Sequence, residues 1–234
     1  MAIMQWNALS TCLFGSFEAV TLLPDAALLT GEAGQRYPVL YLLHDNGENP
    51  MQFLRMPELE KLCNARQLII CCPWISHSLG HDLRWGGKFG RFAGEEFPGI
   101  CQHMFPVDND RAMIGGIGWG AYAACAVALR SPGRFRKIIA FNGCFDLAAL
   151  GRKLAAGEED PFLSAPMLQA VAGELTSLAG SEKDLFAHDR PQDEIWLGCG
   201  DEAHAQDSRR LAEAWGASLY TGSLAQIIAE AMAG

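Results

Sequence analysis

Short apolar runs alternate along the chain with longer stretches in which apolar residues recur at helical spacing. The runs predict buried strands at residues 17–23, 39–43, 68–72, 112–117, 137–141, 195–197 and, more weakly, 217–220. Four of them are almost continuously apolar, which is typical of strands covered on both faces in a parallel sheet. The stretches between them predict helices at residues 51–64, 92–104, 120–130, 161–172, 205–215 and 223–233. This alternation predicts an α/β fold, a three-layer α/β/α sandwich with a mostly parallel central sheet.

Two local sequence signals mark helix boundaries. Asp160 and Pro161 form an N-cap and first-turn proline pair, which predicts the start of the helix at residues 161–172. Ser131, Pro132 and Gly133 end the helix before it.

Composition narrows the class of protein. The 234 residues, half of them apolar, can bury one sizeable core, so we expect a single domain over residues 1–234. Lys plus Arg is 18 and Asp plus Glu is 27, which gives a net charge of −9 and makes nucleic acid and anionic membranes poor partners. The N-terminus has no basic leader pattern, and the longest unbroken apolar stretch, residues 121–129, is well short of the ~20 residues of a membrane span. We therefore expect a cytoplasmic protein.

The eight cysteines lie mostly inside apolar runs, as in Leu68-Ile69-Ile70-Cys71-Cys72. Cysteine in that setting behaves as a small buried hydrophobe. There is no Cys-x-x-Cys pair, and the six histidines do not stand at zinc-ligand spacing. These features indicate a reducing compartment, no metal and no cofactor.

Residues 112–120 form a strand that runs into a glycine-dense turn and then a helix of small residues. Two mechanisms use such a turn. A nucleophile elbow, Gly-x-Ser-x-Gly, holds its central residue on a strained strand-to-helix turn. A dinucleotide turn, matched here by Gly116, Gly118 and Ala121, lets backbone N–H groups reach a pyrophosphate. The second is disfavoured, because the turn follows the fourth strand, Trp119 would crowd the phosphate, and the nearest downstream acid is Asp146.

Four segments carry a family resemblance, in order and spacing: Tyr37 to His44, the turn around Gly118, Ala128 to Phe135, and Phe141-Asn142-Gly143. Together they resemble the esterase D and tributyrin-esterase branch of the α/β-hydrolases, which also contains S-formylglutathione hydrolases and mycolyl transferases. The resemblance runs from about Phe17 to Cys199. It implies an α/β-hydrolase fold, a serine nucleophile, a histidine base, an acid that orients the histidine, and an oxyanion hole.

Carried onto this sequence, each part of that triad is missing. The nucleophile position is Gly118, which has no attacking atom. The acid position is Ala203, with Asp201 and Glu202 nearby. The base should follow the last strand, but Thr221 and Gly222 lead directly into the helix at Ser223, and no histidine follows His204. We therefore predict no intact catalytic residue.

The oxyanion side is altered as well. The resemblance implies His-Gly after the second predicted strand, residues 39–43, whereas this chain has His44-Asp45. The backbone N–H of Trp119 and one near Asp45 remain candidate donors, but a carboxylate there opposes the charge that the pocket should stabilise. We expect Asp45 to turn outward and cap a loop.

Substitute groups lie in the glycine-rich stretch after residue 73. His81 and Asp82 are candidate binding residues of the cleft, beside His77, Ser76 and Ser78, and Cys144 and Cys199 are candidate thiols if a base is within reach.

The sequence thus predicts an esterase-like scaffold without working triad chemistry. One alternative is an active short-chain ester or thioester hydrolase with a rearranged site, in which hydrolysis would depend on His81 or His204. The other is a non-catalytic module that binds a small acyl ligand in the cleft or assembles as a homo-oligomer.

Overall fold

The computed structural model describes residues 1–32, 34–161, 163–200 and 202–233, without the side chains of residues 202–204. Its strands are β1 (Ala2–Ser10), β2 (Gly15–Leu23), β3 (Tyr37–Leu43), β4 (Ile69–Pro73), β5 (Val107–Ile117), β6 (Lys137–Phe141), β7 (Glu194–Cys199) and β8 (Leu219–Thr221). They form one eight-stranded sheet in the order β1-β2-β4-β3-β5-β6-β7-β8. The pairs β1–β2 and β2–β4 are antiparallel and the other five are parallel.

Helices cover both faces of the sheet. They are α1 (Pro57–Arg66), α2 (Phe89–Arg91), α3 (Phe97–Met104), α4 (Trp119–Arg130), α5 (Leu147–Ala155), α6 (Ala165–Ala172), α7 (Glu202–Trp215) and α8 (Leu224–Ala231). A π-helical turn, Phe92–Glu96, joins α2 to α3. None of the helices in the described part of the chain is both long and apolar enough to cross a bilayer.

The strand side chains divide the core into two layers. On β3, Val39, Tyr41 and Leu43 pack with helices α3 and α4. The alternate residues Leu40 and Leu42 pack on the opposite face with α1 and α8. Because both faces are buried, the strands lack polar alternation, which confirms the predicted three-layer, mostly parallel sandwich.

The sequence missed the edge strand β1. Three consecutive residues of its nine, Ile3 to Gln5, are exposed. Ala8 is half-buried, which further interrupts the alternation of buried and exposed positions. An edge strand is buried on few positions, so its apolar run is weaker than that of a central strand.

Two helix predictions need correction. The helix expected at residues 51–64 is a 3₁₀ turn, Pro50–Arg55, followed by α1, because Pro57 disfavours helical backbone at Met56. Asp160 is not an N-cap: its side chain accepts the N–H of Leu163 (2.8 Å), and α6 begins only at Ala165.

Helix α5 was not predicted at all. Asp146 caps it by accepting the N–H of Ala149 at 2.7 Å. Gly151 lies inside α5, and glycine is unfavourable in the interior of a helix, so the cap was the available signal.

One carboxylate, on the π-helical turn before α3, accepts hydrogen bonds from the β1–β2 hairpin. Glu96 accepts hydrogen bonds from the Thr11 N–H (2.7 Å), the Thr11 hydroxyl (2.6 Å), the Cys12 N–H (3.2 Å) and the Ser10 hydroxyl. Burial alone would raise the pKa of Glu96, but these hydrogen bonds outweigh it and hold that pKa below its usual value.

We predict that Glu96→Gln lowers the free energy of unfolding by about 1–3 kcal/mol at pH 7, because hydrogen bonds to a charged acceptor are lost. A carboxyl whose folded pKa is lowered stabilises the fold above its unfolded pKa, and that contribution is lost as the pH falls through the folded pKa. The difference between wild type and variant, measured by urea unfolding, should therefore shrink under acid.

Glu95→Gln is the matched control, because Glu95 is exposed and makes one ion pair with Arg91 at 3.3 Å. It should cost less than about 0.5 kcal/mol. Equal losses in the two variants would contradict the role assigned to Glu96.

Candidate functional site

The site is built on the sharp turn between β5 and α4. Gly118 occupies that turn with φ +58° and ψ −123°, a conformation that strains any residue with a side chain. Its N–H donates to the carbonyl of Phe141 (3.0 Å), and its carbonyl accepts from the N–H of Cys144 (3.3 Å). The strand, turn and helix thus have the geometry of a nucleophile elbow, with glycine at its centre.

Two flanking glycines let the elements approach closely. A Cβ atom on Gly116 would lie 2.0 Å from the carbonyl oxygen of Gly120, and one on Gly120 would lie 2.3 Å from that of Leu43. The start of α4 therefore lies directly against the end of β3, where His44 and Asp45 follow.

The Asp45 carboxylate points into the elbow. Its Oδ1 accepts hydrogen bonds from the backbone N–H groups of Trp119 (2.8 Å) and Asn46 (2.7 Å). A Cβ atom built on Gly118 would lie 2.3 Å from both carboxylate oxygens of Asp45. The carboxylate thus fills the space that a side chain at residue 118 would need.

This corrects the expectation that Asp45 turns outward. It does accept the N–H of the next residue, as a loop cap does, but it faces inward. There are two physical reasons. Gly118 leaves room for the carboxylate, and the N–H of Trp119, at the positive end of α4, has no hydrogen-bond acceptor within its own helix.

Both expected oxyanion donors are already bonded within the chain. The N–H of Trp119 donates to Asp45, and the N–H of Asp45 donates to Oε1 of Gln52 at 3.0 Å. In this arrangement a developing oxyanion would meet a carboxylate rather than free N–H groups.

His44 is close to the elbow and fully bonded. Its Nε2 accepts the N–H of Ile75 (3.0 Å), so Nδ1 carries the proton and donates to the carbonyl of Asp45 (2.8 Å). Burial lowers the pKa of His44 to about 4, against a smaller opposing effect of the hydrogen bond to Asp45. Because both ring nitrogens are occupied, His44 shapes the loop and cannot serve as a base.

His81 and Asp82, the predicted binding residues, are not brought to the elbow. They line a separate cavity of about 360 Å³ with Arg130, Glu182 and Lys183. His81 is buried, donates from Nε2 to the Tyr122 hydroxyl (2.9 Å), and accepts at Nδ1 from Arg130. Tyr122 in turn donates to the carbonyl of Lys183 at 2.6 Å.

The pKa of His81 is well below its usual value, because burial and then the charges of Arg130 and Lys183 disfavour the imidazolium. Asp82 accepts the N–H of Arg91 (3.1 Å). Both ring nitrogens of His81 and one oxygen of the Asp82 carboxylate are therefore engaged within the chain, and both residues line this cavity.

The acid position falls partly outside the described residues. Asp201 lies outside them, and Ala203 and His204 are in the first turn of α7, where side chains are not described. After β8, the chain passes directly to α8, whose N-cap Ser223 forms a capping box with Gln226. The loop that would carry the histidine in the resembled family therefore has no counterpart between β8 and α8.

The sequence did not identify the cleft that opens beside the elbow. It has a volume of about 320 Å³ and lies between Trp119, Cys144, α5 and α7. Its carboxylates are Asp146, Glu158, Glu159, Asp160 and Asp207, against two cations, Lys153 and Arg210. Arg210 is already paired with Asp146 (2.9 Å) and Asp207 (3.4 Å), so the cleft is acidic.

The thiol in this cleft is not activated. Burial first, and then the carboxylates of Asp45, Asp207 and Asp160, raise the pKa of Cys144 to about 12. Cys199, the second candidate thiol, is buried at the end of β7. Among the described residues, no three His, Cys, Asp or Glu side chains are grouped to hold a metal ion.

Comparisons with known proteins identify a family and several relatives of this chain. The family model Esterase, described as "Putative esterase", matches residues 15–223. An acetyl esterase of Caldicellulosiruptor saccharolyticus is 28% identical over 229 residues, covering 90% of this chain and 85% of the relative. The S-formylglutathione hydrolase of Mus musculus is 29% identical over 209 residues, covering 78% and 71% respectively.

Solved structures show the same fold. The Staphylococcus aureus fluorophosphonate-binding serine hydrolase FphF superposes with a TM-score of 0.78 at 20% identity, covering 99% of this chain and 97% of that one. The S-formylglutathione hydrolase FrmB of the same organism gives 0.76 at 19% identity, covering 99% and 97%. The fold is therefore that of the α/β-hydrolases, and the chain belongs to the Esterase family.

Proposed function

We propose that this chain is a member of the Esterase family that has lost acyl-serine chemistry and binds a small acyl compound non-covalently in the cleft beside the elbow. The observation that carries the proposal is the Asp45 carboxylate, which lies where a residue-118 side chain would be and occupies the N–H of Trp119. Gly118 provides no attacking atom and Asp45 occupies the oxyanion donor, and covalent acyl transfer needs both.

The charge of the cleft supports a neutral or cationic ligand. Apolar surface comes from Trp119, Leu150 and Leu154, while five carboxylates line the same cavity. A volume of about 320 Å³ is within the range of small-molecule sites. An acyl anion would be repelled there, whereas an uncharged ester would not.

One observation favours a second candidate, the rearranged hydrolase. The carboxylate of Asp45 stands at the place of the missing nucleophile, and carboxylates serve as nucleophiles or bases in some hydrolases. In that case ester hydrolysis would depend on Asp45 and would be lost in Asp45→Asn.

We predict that the wild-type protein is not labelled by a fluorophosphonate probe and does not turn over p-nitrophenyl butyrate with saturation kinetics. The reason is the absence of a hydroxyl at residue 118. The measurement is in-gel labelling beside initial-rate kinetics, with an active serine esterase as positive control. Stoichiometric labelling would overturn the proposal, and saturable turnover lost in Asp45→Asn would establish the second candidate instead.

Ligand selectivity gives a further prediction. In thermal-shift titrations, butyrylcholine and ethyl butyrate should stabilise the protein and butyrate should not, because the anion meets five carboxylates. Stabilisation by butyrate alone would contradict the assigned ligand class.

The steric exclusion between Asp45 and residue 118 can be measured as a coupling energy. Gly118→Ser should lower the free energy of unfolding by about 2–4 kcal/mol, from the positive φ and the overlap with Asp45. The double variant Asp45→Gly with Gly118→Ser should recover at least about 1 kcal/mol of that loss. It should still label slowly, because no base from a loop after β8 is available.

Gly133→Ser is the matched control, because Gly133 has φ +73° and nothing within 4 Å of the position of a Cβ atom. This variant should lower the free energy of unfolding by about 1 kcal/mol, because only the positive φ is unfavourable there and no steric overlap is added. Strictly additive effects of the Asp45 and Gly118 changes would show that the two residues do not share one space.

A further inference from the structure

A third cavity lies at the opposite edge of the sheet, where the parallel strands begin. It has a volume of about 460 Å³ and is lined by residues at the amino ends of β3, β6 and β7, in the middle of β5 and at the end of α8. Met113, in its wall, is five residues before Gly118 on the same strand, a separation of roughly 16 Å at ~3.3 Å per residue. This cavity is therefore separate from the cleft beside the elbow.

The cavity is cationic in a chain whose net charge is −9. Three positive side chains line it, Arg111, Arg136 and Lys137, against one carboxylate, Glu194. Two of these cations are matched. Lys137 pairs with Glu194 (3.2 Å), and Nε of Arg111 donates to Asp108 (2.6 Å).

Arg136 is the one of these three cations that forms no salt bridge with a described residue; the Asp193 carboxylate feels its charge but does not line the cavity. The Nε of Arg136 donates to the carbonyl of Asp110 (2.9 Å), and within the described part of the chain its two terminal nitrogens have no hydrogen-bond or ion-pair partner. A guanidinium edge with two open N–H groups matches a planar carboxylate, which accepts two parallel hydrogen bonds. Three cations against one carboxylate in the lining favour an anionic ligand.

The rest of the wall is apolar. Met113 and Ala231 are buried, and Pro38 and Met232 are half-buried beside them. An alkyl chain lying on the accessible parts of Pro38 and Met232 would remove apolar area from water while its head group stayed at the cationic rim.

From this arrangement we propose that the cavity at the amino edge of the sheet binds a single-chain alkyl carboxylate, with the carboxylate on Arg136 and the chain on Pro38 and Met232. The site does not depend on the proposed function of the elbow cleft, since the two cavities share no residue.

The test is isothermal titration of the full-length protein with decanoate, decanol and decylammonium, each below its micellar concentration. Decanoate should bind at least about 10-fold more tightly than decanol, because a charge-assisted hydrogen bond is added, and decylammonium should bind more weakly than decanol. Equal affinity for decanoate and decanol would overturn the assignment of the head group.

Two variants locate the site. Arg136→Gln should weaken decanoate binding by about 10-fold or more and leave decanol binding unchanged. Arg66→Gln, the same chemical change on the exposed end of α1, should leave both affinities unchanged. Undiminished decanoate binding in Arg136→Gln, or no decanoate binding to the wild type, would refute the proposal.

Discussion

The hydrogen bond from the Trp119 N–H to the Asp45 carboxylate is the contact on which the character of the site depends. In a serine hydrolase the N–H after the nucleophile faces the oxygen that becomes negative during acyl transfer. Here a resident carboxylate supplies that negative charge at the positive end of α4. Residues 45 and 118 therefore act as one unit: a side chain can occupy the elbow from the turn itself or from the loop after β3, but not from both.

The scaffold around this contact keeps the close packing of an active elbow. Gly116 and Gly120 allow the start of α4 to lie against the end of β3, although residue 118 carries no side chain. The same approach brings Asp45 within hydrogen-bond distance of Trp119, so that its carboxylate fills the elbow.

The sequence predicted the central strands well because they are buried on both faces and therefore continuously apolar. It did not predict β1, whose edge position exposes most of its residues, or α5, whose interior residue Gly151 disfavours a helix. At the site, Gly118 could be recognised from the residue type alone, because glycine has no side-chain atom. The direction of Asp45 could not, since it depends on the space left by a glycine 73 positions away. The partners of His81, Tyr122 and Arg130, could not be predicted either, because both are distant in sequence and only the fold brings them to the two ring nitrogens.

The most direct test of the central claim is the backbone amide resonance of Trp119 in ¹⁵N-labelled protein, followed by NMR from pH 3 to pH 8 in the wild type and in Asp45→Asn. A carboxylate bonded to this N–H predicts that the amide proton of Trp119 shifts between acid and neutral pH in the wild type, together with that of Asn46, and that the shift caused by residue 45 is absent in the variant. A shift caused by the neighbouring His44, whose pKa is lowered to about 4, remains in both proteins. A Trp119 amide that titrates identically in both proteins, or in neither, would contradict the account.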